Sequence, residues 1–496
     1  MLFNSLEFLI FFFVVTVVYF LSPQRFRWIL LLLSSCYFYM AFIPVYILIL
    51  FFLITVDYFA ALAIEKAPAS QKKTYLIISI LATCLILIIF KYFNFFAGSF
   101  SSLFKLFGRD YPVNFVHFIL PIGLSFHTFQ SLSYVIEVYR GKQKAERHYG
   151  IYALYVMFFP QLVAGPIERP QNLLHQFYEK HEFDYKRVTD GLKLMAWGLF
   201  KKAVIADRLA DFVSVVYGSP MDYQGVSFIT ATVFFAFQIF CDFSGYSDMA
   251  IGAAQVLGFK LMNNFERPYH AKTITEFWHR WHISLSTWFR DYVYIPLGGN
   301  KVHEARWLTN IFITFLLSGL WHGANWTFVI WGALNGLYLI IGILTKTARQ
   351  KFVSAIGLDK IPFIYRPLQV LTVFVLITFS WIFFRANNLH EAFYIASHLF
   401  SGVGAYIAGL TQNHFSTNDP RAIAPILVGQ PLYQFAIAIM AIFGMEVMHS
   451  IQKYGGIRAR LSTQPVLLRW AAYYVLIGSL FFFGVFEKSM FIYFQF

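Results

Sequence analysis

The stretch from Trp307 to Thr345 contains no Lys, Arg, Asp or Glu, and Arg306 and Lys346 bracket it. At ~1.5 Å of helical rise per residue it reaches nearly twice across a bilayer core of about 30 Å. In lipid each backbone polar group has to be satisfied internally, so a stretch like this folds as membrane-embedded helix. Near its middle stands His322, a residue that is costly in an apolar span unless something uses or satisfies it. Read as one helix, Ser318 and Gly319 lie one turn before it, and Asn325 and Trp326 one turn after. That narrow polar stripe suits the wall of a water-accessible tunnel. It equally suits a packing histidine bonded to a neighbouring helix. Gly323 and Asn325 alternatively mark a turn between two helices, which moves His322 from the midplane to a membrane face.

The remainder of the chain is of the same kind. Of its 496 residues 58% are hydrophobic and only 13% charged, about half the charged share of soluble domains, so a multi-span membrane protein is expected. The net charge of +14 sits in short loops between apolar runs, where an anionic leaflet explains it and nucleic acid is not needed. Cys36, Cys84 and Cys241 lie in or beside apolar segments without metal spacing, so they are packing residues. The first apolar run lacks a basic leader and a small-residue cleavage site, and is expected to be retained as a helix.

In chain order the first apolar runs are 6–22, 28–43, 45–64, 75–97 and 115–139. Basic residues follow the first run (Arg25, Arg27), the third (Lys66, Lys72, Lys73) and the fifth (Arg140, Lys142, Lys144, Arg147), and none separates the second from the third. The positive-inside rule then puts the amino terminus outside and 140–148 in the cytoplasm. Residues 151–166, interrupted by Pro160 and Gly165-Pro166, are too short and kinked for a span and predict a re-entrant or interfacial segment. Residues 167–190 predict a polar loop, and the runs near 192–217 and 223–257 predict helices. After a basic loop the run 367–384 ends in Arg385, and two last runs, 432–449 and 466–486, close a count of roughly eleven spans.

Two polar clusters stand out. Asp242, Ser244, Tyr246 and Asp248 follow Cys241 at the end of an apolar helix; they do not form a Gly-x-Ser-x-Gly elbow. They are expected to line a cavity or to satisfy one another, Asp242 with Tyr246 and Ser244 with Asp248 at i,i+4. Thr273-Ile274-Thr275-Glu276 has the form of a capping box. Trp278, Trp281, His282, Leu285, Trp288 and Tyr292 then recur at helical spacing, predicting one amphipathic helix over 273–295 ended by Pro296. His279 and His282 could share a metal at i,i+3, but no further ligand follows at a recognisable spacing, so no metal site is expected.

Phe277-Trp278-His279-Arg280-Trp281-His282, with Arg290-Asp291-Tyr292 and Ile295 to Asn300 after it, resembles the signature of the membrane-bound O-acyltransferase family. Leu320-Trp321-His322-Gly323-Ala324-Asn325-Trp326 resembles its second motif. Blocks at 159–167, 240–248 and 491–496 are similar to those of the bacterial, alginate O-acetyltransferase-like branch. The resemblance implies an all-α polytopic fold with re-entrant helices around a central tunnel. It implies one membrane-embedded domain, with N-terminal helices at 1–148, a catalytic core at 149–345 and C-terminal helices at 346–496. His322 would be the catalytic histidine and His282 the second motif histidine. Ser318, Trp321 and Asn325 are expected to line the tunnel on one side, and Asp242, Ser244, Tyr246, Arg290 and Asp291 elsewhere. Asn335 stands where relatives often carry histidine, and His127 where they often carry tyrosine.

The implied reaction is acetyl transfer from a cytoplasmic thioester, acetyl-CoA as substrate with no permanently bound cofactor, to an extracytoplasmic polysaccharide such as an alginate-like glycan. A periplasmic partner whose serine first takes the acetyl group is an implied participant, and the bacterial cytoplasmic membrane the implied location. Imidazole suits the base this chemistry needs, since its ordinary pKa of about 6.5 allows proton uptake at neutral pH. D-alanyl transfer and a non-enzymatic polysaccharide transporter are the alternatives; a transporter would carry paired broken helices in two related halves, and no internal repeat is visible. Cysteines introduced at Lys142 and Phe42 should react with an impermeant thiol reagent from opposite sides of the membrane. Labelling of both from outside would overturn the orientation.

Overall fold

The structure is a computed structural model of the chain. It describes all residues except 110–114, 116–120, 122, 164, 412–419, 453–456, 487–490 and 493–496, with the backbone alone at 420–422 and 457–459. Every regular element among the described residues is helical, as the apolar runs demand. Eight of these helices are long and apolar enough to cross a bilayer, among them Pro44–Lys66, Val226–Leu257, Trp326–Leu344 and Pro362–Arg385. The eleven expected spans do not map onto them one for one. The runs at 6–22, 28–43 and 115–139 yield Leu6–Leu21, Gln24–Met40 and Leu124–Tyr139, of 16, 17 and 16 residues, below the ~20 that an ordinary crossing takes. The run at 192–217 widens into a π-helix over Phe200–Ala206, and Leu389–Thr411 has span-like length where none was expected. Part of the 115–139 run, most of the polar loop near 411–421, Ala164 and the last four residues of the closing motif lie outside the described residues.

The described chain divides into two compact units, Met1–Met195 with Tyr246–Asn263, and Ala196–Gly245 with Asn264–Phe496. In the first, Asp57 is buried and takes hydrogen bonds from Ser79 at 2.5 Å, from Thr83 and from Ser131, which also meets the Tyr152 hydroxyl. A carboxylate inside a helical bundle persists only when its lone pairs are filled in this way. Tyr149–Met157 is a nine-residue helix, too short to cross, and residues 151–163 are buried throughout. This is the protein-enclosed environment that the broken run at 151–166 requires. Beyond it Glu168 is fully buried and accepts the Met262 N–H at 2.5 Å, tying the loop after Gly165 to the loop after Leu257. Burial pushes its carboxyl up to about 7.

The second unit contains the charge-free stretch, and the turn alternative is the one it adopts. Glu304–His322 ends at His322, and Trp326–Leu344 begins after Asn325, whose side chain caps the new helix by accepting the Thr327 N–H at 3.1 Å. The pair packs antiparallel through glycines. A Cβ on Gly319 would sit 2.3 Å from the Phe328 carbonyl oxygen, and one on Gly332 would sit 2.4 Å from that of Phe315. Without a hydrophobic driving force in lipid, close backbone approach is how such helices hold together. Gly332→Ala should therefore lower stability by ~1–3 kcal/mol or more. Gly342→Ala, in the same helix with nothing within 4 Å of its added Cβ, should stabilise by up to about 1 kcal/mol. Thermal unfolding of the two variants in detergent checks the contrast; equal effects would show that the glycines are not the contact.

Candidate active site

His322 is buried at the carboxyl end of its helix, and a polar row leads to it. Asn310, Thr314, Ser318 and His322 recur at every fourth residue and are all buried, so they follow one face. Asn310 Nδ2 donates to the Gly299 carbonyl at 3.1 Å, anchoring the far end of the row to the Gly298-Gly299 turn. Around the imidazole stand aromatic rings, with Trp331 edge-on at 5.0 Å and Phe384 at 5.4 Å. Trp331 stacks on Trp381 at 5.6 Å, and Trp381 meets Trp281 at 5.1 Å.

Trp281 leads into the second histidine. The one helix expected over 273–295 is instead two, Ile274–Arg280 and Ile283–Phe289, followed by a π-helix over Arg290–Tyr294. Trp281 is extended and His282 left-handed at φ 43°, a conformation few non-glycine residues hold without compensation. The compensation comes from Asn264. Its backbone carbonyl accepts the Ile283 N–H at 2.9 Å, and its side-chain Oδ1 takes the Ser284 N–H and hydroxyl at 3.3 and 2.9 Å. The same Oδ1 lies 3.1 Å from His282 Nδ1. Because a backbone N–H can only donate, the atom facing this cluster is the amide oxygen, and Nδ1 carries the hydrogen. The lone pair of the neutral ring is then on Nε2. Burial, with His322 as a second cause, holds His282 well below the usual imidazole range, so the ring is neutral.

The capping box holds, with Thr273 accepting the Glu276 N–H at 3.1 Å. The burial pattern also survives the break, because Trp281, His282, Leu285 and Trp288 remain buried while Trp278 and Tyr292 are half-buried. The other expected lining residues are dispersed. Ser318 shares the His322 row, and Trp321 is half-buried beside it. Asn325 is not a helical turn beyond His322: it belongs to the next helix, and its Nδ2 donates to Asn387 O at 3.0 Å. Arg290 is exposed and paired with Asp291 at 2.8 Å. The expected i,i+4 pairs at 242–248 give way to long-range ones. Asp242 takes Lys202 at 2.7 Å and the Ile492 N–H at 2.7 Å, and Lys201 donates to Ser244 at 2.9 Å. Lys202 also meets Asp207 at 2.7 Å, since a buried ammonium between helices is held best by carboxylates on both sides. Tyr246, in the other unit, donates to Asn4 Oδ1 at 3.3 Å. Of the two departures from the motifs, His127 is buried in that unit against Tyr39, and Asn335 is buried with Nδ2 toward Ser380.

Asn264, Trp331, Trp381 and Phe384 are site residues that sequence reasoning missed. The first lies 18 residues from His282, and the others sit on helices whose apolar character hides them. The indole N–H groups of Trp278, Trp331 and Trp381, with Thr378 Oγ1 and Asn335 Oδ1, are buried without a hydrogen-bond partner among the described residues. Unpaired buried donors are rare and costly, and here they cluster with His322. Trp281→Ala should cost about 3 kcal/mol or more by lost packing. Glu276→Gln should cost under about 1 kcal/mol, because the carboxylate is partly exposed and pairs with a partly exposed Arg280. Denaturation in detergent separates the two, and similar tolerance of both would sink the assignment of the buried face.

Comparison with known proteins concerns the chain as a whole. The profile of MBOAT, the membrane-bound O-acyltransferase family, matches residues 128–386. The probable alginate O-acetylase of Pseudomonas aeruginosa is 40% identical over 405 residues, 81% of this chain and 75% of that protein. The peptidoglycan O-acetyltransferase of Helicobacter pylori is 33% identical over 502 residues, 94% and 91% of the two chains. The teichoic acid D-alanyltransferase of Bacillus subtilis is 27% identical over 241 residues, 46% of this chain and 59% of its own.

Proposed function

We propose, from the premise that the chain belongs to the membrane-bound O-acyltransferase family and is an O-acyltransferase, that it transfers acetyl groups to hydroxyls of a cell-surface polysaccharide. The donor is a cytoplasmic thioester, acetyl-CoA, and the enzyme lies in a bacterial cytoplasmic membrane with its amino terminus outside. The acceptor is an alginate-like or peptidoglycan-like glycan, reached directly or through a periplasmic protein whose serine carries the acetyl group. Relatives named for O-acetylation align over 75% and 91% of their length, against 59% for one named for D-alanyl transfer, which favours acetyl over D-alanyl.

The observation that carries this reading is the run of rings Trp331, Trp381 and Trp281 from His322 to the residue before His282, in which the Trp331 and Trp381 indole donors are unpaired among the described residues. In this proposal His322 takes the proton of the acceptor hydroxyl as its oxygen attacks the thioester carbonyl. The new C–O bond forms, the C–S bond breaks, and the proton passes from the imidazolium to the leaving thiolate. The N–H groups of Trp331 and Trp381 are the donors available to the carbonyl oxygen as its charge develops. His282, neutral with its lone pair on Nε2, receives a polar hydrogen and does not carry the charge. Ser318 and Thr314 hydrate the row that approaches the base.

His322→Ala should lower acetyl transfer by ~10²–10⁴-fold or more while insertion and purification stay normal. His322→Gln is sharper, since the amide keeps volume and hydrogen bonding but accepts no proton at neutral pH. Both release of free CoA from acetyl-CoA and arrival of acetyl on the glycan are to be measured. Wild-type turnover in His322→Gln would remove the base from the mechanism, and a requirement for a carrier-protein thioester would favour D-alanyl transfer.

A further inference from the structure

A second cluster in the second unit, around Glu446, is not used by the acyl-transfer chemistry. His270 Nε2 is 2.7 Å from Glu446 Oε2, and His449 Nδ1 is 3.4 Å from Oε1 of the same carboxylate. Two imidazole nitrogens and a carboxylate oxygen thus lie within 4.8 Å of one another. Their positions are fixed from both sides. His270 ends the turn Pro268–His270, which Arg267 enters in the left-handed region at φ 47°. The intervening Tyr269 is buried, donates its hydroxyl to Ala236 O at 2.6 Å and packs edge-on against Phe240. Glu446 and His449 are three residues apart on Leu432–Gln452 and share a face. The His449 ring stands edge-on to Phe240 at 5.6 Å, so a single phenyl ring braces both sides of the cluster.

We propose that His270, Glu446 and His449 bind a zinc ion, with water completing its coordination. Two neutral imidazoles and one carboxylate form a borderline N/O donor set that suits zinc, and three protein ligands with an open position are a recurrent zinc arrangement. The edge of a tetrahedron with ligands about 2.1 Å from the metal is about 3.4 Å, and the two histidines approach opposite oxygens of the Glu446 carboxylate, His449 at 3.4 Å from Oε1 and His270 at 2.7 Å from Oε2. A single carboxylate oxygen turned toward both imidazoles completes the donor set once the proton held between His270 and Glu446 leaves. Exposure is graded across the site: the His449 side chain is 6% exposed, Glu446 28% and His270 36%. One side is therefore walled by protein and the other admits the ion and its water. The ion would pin the turn that follows Asn264 to a helix near the carboxyl terminus, which makes its function that of a brace for the His282 loop.

The test uses untagged full-length protein in detergent, stripped with a chelator, passed through a desalting column and titrated with zinc chloride. One zinc per chain by elemental analysis is expected. X-ray absorption of the wild type should show two imidazole nitrogens and oxygen at about 2.0–2.1 Å, a readout that needs no variant. His449→Gln and Glu446→Gln should each weaken zinc binding at least tenfold, with unchanged elution on size exclusion as the check on folding. Absence of stoichiometric zinc, meaning a hydrogen-bonded triad only, overturns the proposal. So does equal zinc retention by the double variant His270→Gln/His449→Gln, or a sulfur-containing coordination shell.

Discussion

Gly319 and Gly332 allow Glu304–His322 and Trp326–Leu344 to meet backbone to backbone, and that approach presents Trp331 edge-on to His322. Any side chain at either glycine would collide with a carbonyl oxygen of the other helix. The hairpin turn at Gly323–Asn325 depends on the same closeness, because a Cβ on Gly323 would strike the Phe328 ring at 2.1 Å. The catalytic candidate thus sits at the end of a closely packed helix pair, and a group carried on a packed helix is placed with more accuracy than one on a loop.

The tryptophans around it answer a different constraint. In lipid, burying a large ring gains little from dehydration, so aromatic clusters hold by shape and by edge-to-face contacts worth about 0.5–1.5 kcal/mol each. Against that gain, each unpaired indole N–H costs about 1–3 kcal/mol of lost solvation. A fold that leaves three such donors together has given up stability locally, as expected where a substrate group or water supplies the missing acceptor. The backbone at His282 bears a similar local cost in its left-handed conformation, offset by the four contacts from Asn264.

Charge is handled by pairing over distance. Lys202 sits between Asp207 and Asp242, and Asp242 also accepts a backbone N–H from Ile492, so the π-helix, the long helix and the chain's closing segment share one ion cluster. An i,i+4 partner on the same helix would have fitted local geometry. It would have left the buried ammonium with Asp207 alone, and a desolvated charge held from one side only is the larger penalty.

Helical class and membrane embedding were legible in the sequence because each depends on properties local to a segment: a charge-free run, a capping box, aromatic residues at helical spacing; the two histidine motifs were recognised by their resemblance to a family. The burial of Trp281, His282, Leu285 and Trp288 followed from that spacing even though the helix it implied breaks between Arg280 and Ile283. The break itself was not legible, since it is stabilised by Asn264, a residue outside the periodic segment. Nor were the partners of Asp242, the tryptophans facing His322, or the meeting of His270 with Glu446, which are 176 residues apart. By itself, the sequence determined which segments leave water and where ionisable side chains fall within them, because transfer free energies belong to residues. Only the tertiary structure decided which donors face which acceptors, because in a chain of apolar helices that choice rests on how closely glycine-lined backbones approach.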